Sequence, residues 1–489
     1  MNQTKALIIR WRIIFVTFLF FILSGHSSLW GQEAGFPLSL KAAVDSALNN
    51  NPQIKQYRER VKQKEYLIKA ARGNYFPSLN ASGGYTYLSK NPEVNMGQIK
   101  SSLDKNIQQY GKAIAKSGAL TPEALSMLTG IIQGLGQLPA YNIRIDKKTF
   151  PNFNITAVQP IYTGGKITAG LGYAKADAEN ARQLLQQIRN TVTREIIKNY
   201  YGVVLLKEVI ITRKNVLSGM QKHESQAEKA FKIGMISTEE LLRAKVAVAN
   251  AERSLSDDQN RLSLAQLALI TNMGMTQDAG FVCISSLKFI AFPIKLANLQ
   301  DEALLHQPIF KMIDQKEEMV KQKQAVDLSA FLPQVTAWGE FSAFQDQYPV
   351  IMPPVMVGIQ AKINLFNGLK KVNEMKATNH LKRQIAYARQ YAQDRVNLWV
   401  NQSYRKAQNE QERYIKMQPT LALSAENLKI TEKRFQEGLS KSIDVIDARL
   451  LDEKIQLERL QTLYDYYMAL SEVYLSTGQP GKAVRILNR

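Results

Sequence analysis

The sequence predicts a mixed α/β membrane protein. A transmembrane β-barrel, shared between chains with four strands from each, is continued by a long antiparallel α-helical barrel, and the chain is built as two internal structural repeats. Three observations carry this expectation. Residue matches recur at a constant offset over much of the chain. Short stretches of about ten residues alternate apolar and polar side chains, the period of a half-buried strand. Two intervals of 68 residues, 165–232 and 369–436, run without glycine-proline punctuation of the kind that ends helices, apart from Pro419 in the second.

The repeat comes first, because a missed period misreads the whole fold. Pro52 and Pro77 are 25 residues apart, as are Pro308 and Pro333. At the same offset of 256, Ala47 matches Ala303, Leu48 matches Leu304, Lys55 matches Lys311 and Gly83 matches Gly339. The offset then becomes 204: Ile155 matches Ile359, Ala157 Ala361, Gly164 Gly368, Lys166 Lys370, Tyr200 Tyr404, Phe231 Phe435, Gly234 Gly438 and Ala244 Ala448. The change of 52 places an insertion in the first copy, at 91–145, where the second copy has only 346–354. The expected organisation is a signal over 1–31, a first repeat over 32–275 with a long inserted loop, a linker over 276–295, a second repeat over 296–480 and a tail over 481–489.

Within each copy the order reads helix, strand, loop, strand, very long helix, tight turn, helix. Residues 38–74 have helical spacing and stop at Tyr75-Phe76-Pro77, where proline ends a helix. Leu79, Ala81, Gly83, Tyr85 and Tyr87 then alternate with polar residues; Val335, Ala337, Gly339, Phe341 and Ala343 do so in the second copy, with Trp338 on the opposite face. The returning strands are 153–159 and 355–363. They close in PIYTGG (160–165) and NLFNG (364–368) and feed the two long intervals. A helix of that length rises about 100 Å. It needs partners all along, and the half-length helices 38–74 with 237–272, and 296–332 with 442–475, stacked end to end, match it. Four strands cannot close alone, and open edges are not viable in lipid, so the barrel is shared. Tyr75, Phe76, Tyr162, Phe331 and Phe366 near the strand ends suit an interfacial aromatic girdle.

The N-terminus sets the compartment. Lys5, Arg10 and Arg12 precede the apolar run 13–23, followed by small and polar residues to Gly31, the layout of a secretory signal. Its removal leaves 458 residues at formal charge +18. No cysteine lies near the cleavage site, which excludes a lipid anchor there. A secreted chain with a single cysteine, Cys283, has no internal disulfide. Cys283 lies in the apolar stretch 281–292 and reads as a packing residue; that stretch, with the C-terminal tail, is expected to belt the helices. A positive balance suits anionic lipid or nucleic acid, and the signal argues against nucleic acid. Enzyme classes find no support: His26, His223, His306 and His380 are far apart, Gly130, Gly134 and Gly136 follow no strand, and metalloprotease, P-loop and serine-hydrolase motifs are missing. No cofactor or metal is expected.

From about Leu38 to Gly478 the sequence resembles the TolC-like outer-membrane efflux protein family. The resemblance rests on Asn51-Pro52 and Gln307-Pro308 before rising helices, on the two turns at 160–165 and 364–368, and on the paired tips FKIGMISTEEL (231–241) and FQEGLSKSIDV (435–445). It implies a homotrimer with a twelve-stranded barrel in the bacterial outer membrane and a twelve-helix tunnel in the periplasm. It also implies docking onto a periplasmic adaptor that serves an inner-membrane pump. The adaptor would approach Gly234, Met235, Ile236, Gly438, Leu439 and Ser440. Two aspartates, six and nine residues beyond the second tip glycine, line the closed periplasmic end of known members; Asp444 and Asp447 match them. The family's basic residue two beyond that glycine is Ser440 here, with Lys441 adjacent, and the insertion at 91–145 also departs from the pattern. Taken alone, Asp444 and Asp447 share one helical face near a helix start, where carboxylates favour the dipole; symmetry would turn each into a ring, the arrangement of a cation-selective constriction. Small-molecule efflux, a duct for type I protein secretion, and a surface coiled-coil structural protein all stay open at this point.

Overall fold

The computed structural model describes residues 36–116, 121–137, 142–276, 280–291, 295–344 and 353–488. The expected signal, and most of the connection at 346–354, lie outside them. The elements run β1 (Phe36–Leu38), α1 (Leu40–Asn50), α2 (Pro52–Gly73), β2 (Ser78–Tyr87), β3 (Glu93–Asn95), α3 (Met96–Lys116), α4 (Pro122–Gly136), β4 (Asn142–Arg144) and β5 (Thr149–Tyr162). There follow α5 (Lys166–Lys232), α6 (Thr238–Met273), β6 (Phe281–Cys283), α7 (Leu296–His306), α8 (Pro308–Ser329), β7 (Gln334–Ala343), β8 (Val355–Lys362), α9 (Lys370–Gln436), α10 (Ser442–Ser476) and α11 (Pro480–Leu487). The helices α5 and α9 have 67 residues each. No described helix is long and apolar enough to cross a membrane.

The chain forms two compact units, one of residues 1–64, 178–316 and 384–489, the other of 65–177 and 317–383. In the first unit, the single helices expected over 38–74 and 296–332 are each broken before proline. Asn51 has φ −57° and ψ 126°, and Gln307 φ −67° and ψ 122°, the extended ψ that a following proline imposes. The breaks are seats for other helices. Asn51 Nδ2 donates to Asn272 O at 2.9 Å at the end of α6, while its Oδ1 accepts from Gln53 N at 2.9 Å. Gln307 Nε2 donates to Leu475 O at 2.8 Å and Ser476 O at 2.7 Å at the end of α10. Last-turn carbonyls without helical partners are satisfied there. Gly274 and Gly478 end these helices at φ +70° and +75°. A Cβ on either would lie 2.6 Å from Asn50 O or 2.5 Å from His306 O, so only glycine lets the two backbones meet.

Four fully buried tyrosines, Tyr200 and Tyr201 on α5 and Tyr466 and Tyr467 on α10, form the centre of this unit. Buried phenols need hydrogen-bond partners, and these find them on the segments packed outside. Tyr200 donates to Leu38 O at 2.9 Å and lies 2.8 Å from Ser285 Oγ; Tyr467 donates to Lys288 O at 2.7 Å. Tyr466 donates to Ile290 O and Tyr201 to Leu487 O. The stretch 281–291 thus lies against the helices, and the expected tail is the helix α11, buried through Ala483, Val484 and Leu487. Cys283 is buried in β6, paired in parallel with β1, and burial pushes its thiol up to about 12.

The second unit carries a four-stranded antiparallel sheet in the order β2-β5-β7-β8. The register places Leu79, Ala81, Gly83 and Tyr85 of β2 beside Ala157, Ile155, Phe153 and Pro151 of β5. Ile155 and Ala157 in turn pair with Phe341 and Gly339, and Phe341, Gly339 and Ala337 with Val355, Val357 and Ile359. Directly paired residues share a face, so one face is apolar across all four strands. The opposite face carries Asn80, Ser82, Asn152, Asn154, Thr156, Thr336, Glu340, Gln360 and Lys362, with Phe150, Val158 and Met356 among them. Trp338, which blurred the alternation, lies on this polar face, against Gly358, where a Cβ would approach its indole to 3.0 Å. The apolar face is uncovered: Leu79 is 72%, Val357 80% and Ile359 73% exposed. The outer edges of β2 and β8 have no strand partner among the described residues.

The insertion is not the loop expected. Between β2 and β5 a short ribbon, with Glu93 opposite Arg144 and Asn95 opposite Asn142, carries the helices α3 and α4.

Candidate functional site: the helical tips

The turns joining α5 to α6 and α9 to α10 have the same local chemistry. Gly234 donates its N–H to Phe231 O at 3.0 Å and Met235 to Ala230 O at 2.9 Å; Gly438 donates to Phe435 O at 3.0 Å and Leu439 to Arg434 O at 2.8 Å. Both are Schellman endings, which need a left-handed residue at the glycine; φ is +71° and +73°. Ser237 then caps α6, accepting from Glu240 N at 3.3 Å while Glu240 accepts from Ser237 N at 3.4 Å, a reciprocal capping box.

The structure brings the tips together. A Cβ on Gly438 would lie 3.2 Å from Met235 Cε, whereas Gly234 has open space around it. Met235 and Leu439 are 57% and 63% exposed, with Ile233 at 72%; Ile236 and Ser440 are half-buried, and Ser440 donates to Thr431 O at 3.4 Å. Turn geometry asks only for the glycines, and the apolar Ile233, Met235 and Leu439 beside them stay largely exposed.

Asp444 and Asp447, equivalent in the sequence reading, are not equivalent here. Both are exposed on one face of α10. Asp444 accepts from Lys441 N at 2.9 Å and closes the start of the helix. Asp447 has no hydrogen bond or ion pair among the described residues.

Beneath the tips lies a residue that sequence reasoning passed over. His223 on α5 is 2% exposed, with Nε2 2.8 Å from Ser442 Oγ and its ring edge-on to Phe435 at 4.8 Å. Its Nδ1 has no partner. Burial, with Arg449 nearby, lowers its pKa to about 4. This explains why Phe435 is buried while its sequence match Phe231 is 39% exposed. Arg449 lies across Gly219 of α5 and pairs with Glu432 of α9. Further along, Arg213 of α5 bridges Asp258 of α6 at 2.9 Å and Glu453 of α10 at 2.6 Å. No motif marks these residues; only their shared depth in the packed helices does. Between α5, α6 and α10 a groove of about 760 Å³ is lined by Val216, Met220, Leu242, Val246, Ile446 and Leu450.

A family model described as outer membrane efflux protein matches residues 144–275 and 299–479. No curated protein matches the sequence. Among solved structures, the CmeC outer membrane channel of Campylobacter jejuni superposes with a TM-score of 0.70 at 13% identity, covering 92% of this chain and 89% of that one. The outer membrane protein VceC of Vibrio cholerae gives 0.68 at 15% identity, covering 90% and 96%. The open state of the MtrE outer membrane channel of Neisseria gonorrhoeae gives 0.66 at 13% identity, covering 90% and 89%. At such identities the likeness is one of fold.

Proposed function

Because this chain belongs to the outer membrane efflux protein family, we propose that it is the outer-membrane channel of a tripartite export system, most directly one for small toxic compounds. Three copies close their four-stranded sheets into one barrel in the outer membrane, and their paired long helices form a tunnel in the periplasm, each chain contributing two repeats. A periplasmic adaptor, itself joined to an inner-membrane pump, docks on Gly234, Met235, Ile236, Gly438, Leu439 and Ser440. Asp444 and Asp447 form carboxylate rings at the periplasmic gate. Conduction is passive, and the chain performs no catalysis.

One observation carries this reading: a sheet mostly apolar on one face, mostly polar on the other, and without a strand partner at either outer edge among the described residues. In water that face is a liability; in a bilayer it is the required exterior, and the edges must then be closed by further strands. The exposed aromatics Tyr75, Phe76, Tyr162, Phe331 and Phe366, all at the helical end of the sheet, support an interfacial girdle there. The exposed apolar tips support docking.

Mass measurement of the detergent-purified chain tests the shared barrel: a trimer is expected, and a monodisperse monomer refutes it. Docking is tested in cells. Gly234→Trp with Gly438→Trp is expected to leave the trimer intact and abolish export; normal export by the double variant removes the tip assignment.

A further inference from the structure

The insertion between β2 and β5 is absorbed by none of this. Where β7 and β8 are joined through 344–354, β2 and β5 are joined through 88–148. The base of this excursion is held, not slack. Leu88 N donates to Lys148 O at 2.8 Å, Ile145 N to Pro92 O at 2.9 Å, and Asn91 Nδ2 to Asp146 Oδ1 at 2.9 Å, below the β3–β4 ribbon. The ribbon therefore extends the β2–β5 hairpin and holds α3 and α4 beyond it, at the end of the sheet away from the long helices. Lys90, Asp146, Lys147 and Lys148 follow directly after the apolar Tyr85, Tyr87 and Pro151, so the charged base marks where the apolar face ends.

The two helices leave apolar surface uncovered. On α3, Met96, Ile99, Leu103, Ile107 and Tyr110 recur at steps of three and four, one face of a helix. Ile99, Leu103 and Tyr110 are 43%, 41% and 69% exposed, and on α4 Met127, Ile131 and Ile132 are 72%, 46% and 37% exposed. Lys100 Nζ donates to Gly136 O at 2.9 Å and ties the helices together, yet neither covers the other. Two features choose the occupant. A helix lying on an anionic lipid surface carries lysine and arginine on its polar side; α3 carries Lys100, Lys105 and Lys112, but α4, which supplies Met127 and Ile131, has neither, its one charged residue being Glu123. The excursion is also mounted on β2, an edge strand. In a barrel closed by copies, that edge meets β8 of the next copy, so each helical pair stands over a seam with a neighbouring chain.

We propose that α3 and α4 are a self-association surface: the helical pairs of neighbouring copies pack on one another through the Met127 and Ile131 side of α4 and the apolar stripe of α3, forming a helical crown at the outer mouth. This rests on the shared-barrel reading above. The crown narrows the exit and ties the chains together outside the membrane.

The chain's own cysteine is buried, so it is silent to a short bismaleimide crosslinker. In full-length protein in isolated outer membranes, Met127→Cys is expected to convert most of the chain to covalent dimers. Thr129→Cys, on the opposite side of α4, and the unaltered chain are expected to stay monomeric on denaturing gels. Adding Ile131→Asp to Met127→Cys is expected to abolish the dimers. Absence of dimers from Met127→Cys, with the native trimer intact by mass, overturns the proposal alone. So does strong quenching by brominated lipid of a fluorophore on the M127C thiol, which assigns the surface to the membrane. A monomer by mass overturns the shared barrel, and the crown falls with it.

Discussion

Asp444 and Asp447 separate two roles that the sequence merges. Asp444 alone accepts the main-chain N–H of Lys441, at 2.9 Å, and sits in the first turn of α10. Losing that bond and its favourable position near the helix start costs about 1–1.5 kcal/mol, the sum of a cap contribution and a dipole contribution of ordinary size. Spread over a chain of this length, such a loss moves the melting temperature by only about 1–2 °C. Local opening reports it better: amide exchange over 442–448 is expected to speed up about tenfold in Asp444→Ala, since 1.4 kcal/mol is a factor of ten. In Asp447→Ala the same amides are expected to exchange at the parental rate. Asp444→Asn keeps an acceptor for Lys441 N and loses the charge, so most protection is expected to survive. Single-channel recordings supply the second axis. If the carboxylates form rings at the gate, Asp447→Ala and Asp444→Asn both weaken block by a trivalent cation, although only Asp444→Ala disturbs the helix start. Equal acceleration of exchange by Asp447→Ala would falsify the division of labour. Undiminished block in the Asp444→Asn, Asp447→Ala double variant refutes the gate reading and leaves the cap intact.

His223 makes stability depend on pH in a defined direction. Its folded pKa is about 4, against 6.5 for the free side chain. The unfolded chain therefore takes up this proton first, and stability falls as pH drops from 6.5 towards 4; His223→Gln is expected to flatten that slope in urea titrations at several pH values, and an unchanged slope removes the assignment. At the helix joints, Gly478→Ala forces a Cβ to within 2.5 Å of His306 O at φ +75° and is expected to cost about 2–4 kcal/mol from backbone strain and overpacking. Gly234→Ala, at φ +71° in open space, is expected to cost only about 1 kcal/mol; equal losses in chemical denaturation contradict the joint geometry.

Much of the secondary structure was legible because it depends on period and punctuation. The alternation in 78–87 and 334–343, the helical spacing sustained through the two long helices, and Gly234 and Gly438 after them all report local backbone requirements. The breaks at Asn51 and Gln307 were visible as prolines but not read as interruptions, because helical spacing continues on both sides. Their use appears only in the fold: an amide side chain before each proline serves the end of a helix 221 residues away for Asn51, and 168 and 169 for Gln307. The insertion, expected as a loop, has helical spacing of its apolar residues over 96–110.

The sequence by itself determined what local physics controls: which segments coil and which extend, where turns need a left-handed residue, and that one side of the strands is apolar. It also determined membership of the family, since the paired tips and turns lie within the matched segments. Tertiary structure decided what depends on residues distant in the chain. It buried His223 against Phe435 and Ser442 and joined Arg213 to Asp258 and Glu453. These pairings arise from packing between helices, whose register against one another is set by side-chain fit along their whole length, and no short motif encodes that fit.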